Sequence, residues 1–190
     1  MAKKTDANLV NPWGMALGLN SGIWISNNGS AKAASYDGMG QPLPSGLVTI
    51  PGPGDSGGTS SPTGVATNDT TGFVISAGVK SAPSVELLAT EDGAIAGWNA
   101  SVDPTKAVIA VDNSASGAVY KGFALGFNES GALLFAANFH DGTVDVFDPP
   151  SIASDDWWFQ GPADPGRVRP VRYLIHQRRG LRHLRHAKCR

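Results

Sequence analysis

The 190 residues contain one cysteine, Cys189, so no disulfide closes within the chain and no thiolate cluster has the spacing to hold zinc. Three of the four histidines follow residue 166, which leaves His140 alone in the long first part of the chain. Arginine is absent from residues 1–166. No apolar run approaches the ~20 residues of a membrane-spanning helix. The opening MAKKTDANLV lacks the apolar centre of a secretory leader, so the chain as written is expected to stay in the cytoplasm. No stretch of useful length carries the 3.6-residue period of an amphipathic helix, and no glycine loop precedes a helix where a phosphate would sit. Zinc, nucleotide and redox roles are therefore not expected.

What is plentiful is turn chemistry. The chain has 24 Gly and 13 Pro, and pairs such as Asp37-Gly38, Asp92-Gly93 and Asp141-Gly142 mark tight hairpins. Three segments correspond: PWGMALGLNSGIWISN (12–27), PTGVATNDTTGFVIS (62–76) and YKGFALGFNESGALLFAAN (120–138). Each reads as a strand with glycine near its start, a polar turn and a second apolar strand. The short alternating strands AKAASYDG, GAIAGWNA and GTVDVFDP follow them, and LVTIPG (47–52) and AVIAVDN (107–113) supply a fourth strand twice. Antiparallel units of four strands that recur every ~50 residues predict propeller blades, which bury their faces only by stacking. The expected fold is all-β and β-propeller-like, with about three four-stranded blades over residues 1–160. Trp13, Trp24 and Trp98 fall where large aromatics fill the gaps between blades.

Residues 161–190 form a second region, a basic Arg/His-rich tail expected to be disordered. Before residue 167 the chain has six Lys and all sixteen acidic residues; from Arg167 on it has eight Arg and one Lys. Such a tail reads either as an arm for an anionic surface or as translation in the wrong frame. The second reading is preferred. Permitted codons for RVRPVRY (167–173), shifted by one base, encode Gly-Tyr-Ala-Pro-Phe-Asp, and the shifted frame continues into a strand-like, β-branched sequence. No nucleic-acid partner is expected on this reading.

The runs DANLVNPWGMALG, WISNNG, LVTIPGPG, SPTGVATN, LLATEDGAIAGWN, VDNSASGAVYKGFALG and LFAANFHDGTVDVFD resemble an uncharacterised bacterial family of exported propeller-type proteins associated with PEP-CTERM sorting genes. The chain is more distantly similar to six-bladed propellers of the gluconolactonase, senescence-marker and NHL type. The resemblance implies that this is about the first half of a longer, exported protein, with periplasmic or extracellular full-length relatives. A homodimer that completes the ring is one consequence.

In a four-stranded blade, the start of the first strand and the turn between the second and third lie on one face. That face is expected to collect Asn11 and Trp13, Asn27 and Asn28, Glu91 and Asp92, and Asn138, His140 and Asp141. Oxygens from Asn11, Asn28, Glu91, Asn138 and Asp141 suit a hard cation such as Ca2+. In the lactonase-like propellers such an ion polarises a lactone carbonyl and activates water. The resemblance implies the same here, and the catalytic candidates on this face are Glu91, His140 and Asp141, with His140, the one His before the tail, a candidate general base. Two departures weaken it, since Asn11 stands where those relatives carry a carboxylate and Thr63 where they carry an Asn. Ordinary turn capping also accounts for the Asn and Asp-Gly positions.

The string Gly54-Asp55-Ser56-Gly57-Gly58 matches a serine-hydrolase motif, but no His precedes residue 140 and its surroundings are loop-like, so Ser56 is not expected to be a nucleophile. The expected function is a calcium-assisted hydrolase that opens a small-molecule lactone, gluconolactone-like or acyl-homoserine-type. The alternative is a non-catalytic exported propeller that binds surface polysaccharide or protein.

Overall fold

Three glycines at one position of the repeat, Gly14, Gly64 and Gly122, lie at the centre of the architecture. Each falls in the first strand of a four-stranded antiparallel sheet. The first blade is β1 (Pro12–Leu17), β2 (Ile23–Asn27), β3 (Lys32–Tyr36) and β4 (Pro42–Thr49), paired in that order. The second begins with β5 (Pro62–Thr67), is interrupted by a hairpin of β6 (Val74–Ala77) and β7 (Lys80–Pro83), and resumes with β8 (Glu86–Thr90), β9 (Ala94–Trp98) and β10 (Val108–Asp112). The third is β11 (Tyr120–Asn128), β12 (Gly131–Asn138), β13 (Thr143–Phe147) and β14 (Phe159–Gln160). This computed structural model describes residues 4–20, 22–54, 57–129, 131–149 and 159–160. Among the described residues there is no α-helix, only two short 3-10 turns at Asn28–Ser30 and Ser114–Ser116. The all-β, partial-propeller expectation holds. The basic tail, Asp55 and Ser56 lie outside the described residues.

One element differs from the expected repeat. The apolar run at 73–77 is the first arm of an extra hairpin, and the second strand of blade two is β8 instead. The reason lies in burial: every residue of Glu86–Thr90 is buried, whereas Val74–Ala77 has one buried residue of four. Asn68 holds the insertion at its root, donating from Nδ2 to the carbonyls of Ser84 at 2.8 Å and Gly72 at 3.2 Å.

Two apolar clusters fill the two spaces between blades. Trp24, Val48 and Ile50 of blade one meet Val65, Leu88 and Trp98 of blade two, with the Trp24 and Trp98 rings 5.0 Å apart. Phe73, Leu87 and Ile95 meet Tyr120, Leu134 and Phe147. Strand β8 serves both, because successive side chains point to opposite faces: Leu87 and Ala89 enter one cluster and Leu88 the other. The innermost strands touch through their backbones. A Cβ on Gly14 would run into the Thr63 carbonyl oxygen, and one on Gly64 would run into the Phe123 Cβ. Glycine at the repeat position is thus what allows adjacent inner strands to approach.

Candidate functional site

The turns at one end of the blades converge as the topology requires. The backbone carries Asn11 at a φ of 49°, a left-handed conformation that Asn tolerates better than most residues. From there the Asn11 and Val10 carbonyls accept hydrogen bonds from the amides of Asn28 and Gly29, which sews the β2–β3 turn to the start of β1. The Asn11 side chain donates from Nδ2 to Asn28 Oδ1 at 3.2 Å, and Asn28 donates from its own Nδ2 to Glu91 Oε2 at 2.9 Å. Glu91 opens the β8–β9 turn, which is fixed by its own amide donating to the Ser61 carbonyl and by Asp92 accepting from the Ser61 amide. A chain of polar contacts therefore links blade one to blade two.

Blade three closes this chain with a residue the repeat pattern contains but the sequence reading did not single out. Lys121 forms an ion pair with Glu91 Oε1, and its Nζ lies 4.7 Å from the centre of the Trp13 ring. Trp13, Thr63 and Lys121 each immediately precede the repeat glycine of their blade, so the alignment alone places all three at matching positions of the inner strands. Thr63 is buried, and its hydroxyl donates within reach of the Tyr120 and Ala89 carbonyls, tying blades two and three together. Lys121 and Glu91 keep about a third of their side chains exposed, 28% and 33%. The Lys121 ammonium, followed by the Asn28 amide, holds the Glu91 carboxyl below its ordinary range. Glu91 is therefore ionised through the neutral range, a partly open carboxylate beside a partly open ammonium on an exposed indole.

Asn138, Asp141 and His140 occupy other surroundings. Asn138 is buried; its Oδ1 accepts from the Val119 amide and its Nδ2 donates towards Asp141 and Asp145, both at 3.2 Å. Asp145 also accepts from the Tyr120 hydroxyl at 2.9 Å, and that hydroxyl accepts from Asn113 at 2.7 Å. Burial, the largest cause, raises the Tyr120 phenol well above its ordinary value, so it stays a donor. These contacts knit the third blade's turn. His140 is exposed and lies beside Gly117, in the loop that leads into β11.

The donor set suits a calcium ion poorly. A cation at Glu91 would need oxygens aimed at it, but one carboxylate oxygen holds Lys121, and Asn28 turns an NH2 group to the other. Asn138 and Asp141 engage each other instead. Among the described residues no group of three or more His, Cys, Asp or Glu is placed to hold a metal. No helix among them is long and apolar enough to cross a membrane.

No protein-family model matches the chain. Among curated proteins it is similar to two uncharacterised proteins of Acanthamoeba polyphaga mimivirus: L690, 33% identical over 150 residues, and R648, 31% identical over 149 residues. Those alignments cover 78% and 77% of this chain but 38% and 35% of the relatives, so the chain spans well under half the length of the curated proteins it matches. Among solved structures, virginiamycin B lyase from Staphylococcus aureus superposes with a TM-score of 0.54 at 12% identity, covering 80% of this chain and 42% of that one. A streptogramin B lyase gives 0.52 at 12% identity, covering 86% and 44%. At such identities the likeness establishes the propeller fold alone. The expected kinship with a bacterial exported family is corrected by these curated relatives, which are uncharacterised proteins of a mimivirus.

Proposed function

We propose that the turn face of these blades binds a cyclic ester and opens it by hydrolysis, with Lys121 and Glu91 as the reacting pair. One observation carries this reading: a partly exposed ammonium and carboxylate are held together over an exposed Trp13 where all three blades converge. Trp13 offers an apolar face to a ring, and Lys121 offers hydrogens to its carbonyl oxygen. Glu91 is the acceptor for a water proton. While paired with Lys121 it is a weak base; a substrate carbonyl that draws the ammonium away makes it stronger at the moment of need. Water then adds to the carbonyl carbon as its proton passes to Glu91, and Lys121 stabilises the oxyanion. Collapse breaks the ring C–O bond, and the alkoxide recovers the proton from Glu91 to leave a hydroxy acid. The solved neighbours that are lyases support the view that blades of this kind carry enzyme chemistry.

The test is turnover of simple and N-acylated lactones, with and without EDTA. Ring opening that persists in EDTA and falls by roughly 100-fold or more in Lys121→Met and Glu91→Gln, with unchanged circular dichroism, is expected from the usual size of such contributions. Loss of activity in EDTA would instead favour a calcium ion that displaces Lys121 from Glu91. No turnover of any lactone, or full activity in both variants, contradicts the proposal. Saturable binding of a polysaccharide or protein without turnover is the outcome for a non-catalytic propeller, a reading favoured by the exposed Trp13.

A further inference from the structure

The left-handed backbone at Asn11 is a conformation that glycine adopts freely and that costs most other residues. An Asn at such a position is explained by what its side chain reaches. Asn11 donates from Nδ2 to Asn28 Oδ1, and Asn28 donates from its own Nδ2 to Glu91 Oε2. The last member fixes the direction of this chain. An ionised carboxylate only accepts, so the Asn28 amide must turn its NH2 end to Glu91 and its oxygen away. That oxygen then needs a donor, and Asn11 supplies it. Backbone bonds hold the two asparagines in register, the Asn28 amide donating to the Asn11 carbonyl and the Gly29 amide to the Val10 carbonyl, both at 3.1 Å. Lys121 meets the other oxygen of Glu91, Oε1, and Asp92, the next residue in the turn, turns its carboxylate to the Ser61 amide. Trp13 and Asn28, from blade one, bring no charge.

We propose that Asn28 is a positioning residue for Glu91 and that Asn11 acts through it, the two forming an orienting relay that keeps one carboxylate oxygen directed at the proton it takes. The inference rests on the hydrolytic reading of the site, in which Glu91 is the base. Once a substrate carbonyl draws the ammonium away from Oε1, a carboxylate with no other partner is free to turn about its terminal torsion. The Asn28 hydrogen bond on Oε2 fixes the plane of the group, so Oε1 stays aimed at the water and does not follow Lys121. The same bond favours the charged form, adding to the depression of the Glu91 carboxyl of which Lys121 is the larger cause. Without Asn11 the Asn28 amide can turn over and present its oxygen to Glu91, which replaces attraction with repulsion.

Two measurements on the full chain separate the relay from the reading it rests on. Carbon-13 NMR titration of the Glu91 carboxyl follows the relay directly and needs no substrate. In Asn28→Ala the midpoint should rise. In Asn11→Gly, which suits the left-handed backbone, it should rise less, because that bond is exposed to solvent. Adding Asn11→Gly to Asn28→Ala should raise it no further. An unchanged midpoint in Asn28→Ala, or shifts that simply add in the double variant, overturns the relay. In lactone turnover Asn28→Ala should lower kcat by roughly 10- to 100-fold with KM little changed, as for an interaction used only in the transition state. An unchanged kcat overturns the positioning role. A wild type that opens no lactone while the titrations behave as expected defeats the hydrolytic reading alone and leaves the relay as a device that sets the charge of Glu91.

Discussion

Glu86 and Glu91 lie five residues apart and meet opposite environments. Glu86, in β8, is fully buried; its Oε2 accepts from Thr67, while its Oε1 finds no partner, and neither does the buried Nε1 of Trp98 directly across the ladder. Burial pushes the Glu86 carboxyl up to about 7 from 4.5, whereas Lys121 holds Glu91 down. The consequences for stability have opposite sign. Below pH 4.5 Glu86 is neutral whether folded or not, and above about 7 it is charged in both states, so the fold loses stability as pH rises between these values. The loss is on the order of 3 kcal/mol, at about 1.36 kcal/mol for each pH unit between the two values. Urea unfolding of Glu86→Gln across this window should lack that slope; equal slopes in variant and wild type would contradict it. The Glu91–Lys121 contribution is present above the unfolded carboxylate value and is lost as pH falls through the lower folded one. Glu91 is legible in the sequence as a carboxylate in the turn between the second and third strands of its blade. Glu86, a lone acid in an otherwise apolar strand, is not, and neither is Lys121, whose role appears only when the residues before the three repeat glycines are compared.

At the scale of elements, the blades are legible because each repeats an inner-strand glycine, a polar turn and a short alternating strand that ends in an aromatic followed by Asp or Asn. The hairpin β6–β7 was not, since VIS alternates like a second strand and only burial distinguishes it from ELLAT. Local polarity likewise does not distinguish an Asn that lines a face from one that knits a turn, so Asn28 and Asn138 looked alike until their partners were known. Asn68 gives the inserted hairpin its anchor. Asn68→Ala removes a donor from two carbonyls, one of them in a buried contact, and should cost about 1–3 kcal/mol. Hydrogen exchange should speed up first in Val74–Pro83. Uniform loosening of all three blades, or no change, would show that the insertion is held by other means.

For the whole molecule, the stacking account makes equivalent glycines unequal. Gly64→Val drives a Cβ into Phe123 and should destabilise the chain by ~1–3 kcal/mol or more, the usual cost of overpacking, while Gly122→Val, whose Cβ meets only the Ala137 Cβ at ordinary contact distance, should change the melting temperature far less. Equal effects at the two sites would mean that the blades do not pack through their inner strands. The same stacking brings Trp13, Glu91 and Lys121 from three blades to one place, where the proposed chemistry has the last two act as one unit. A double-mutant cycle on lactone kcat/KM measures this most directly, using wild type, Glu91→Gln, Lys121→Met and the double variant. Each single change should remove nearly as much activity as both together. Strictly additive losses, or a double variant as active as the wild type, would contradict it.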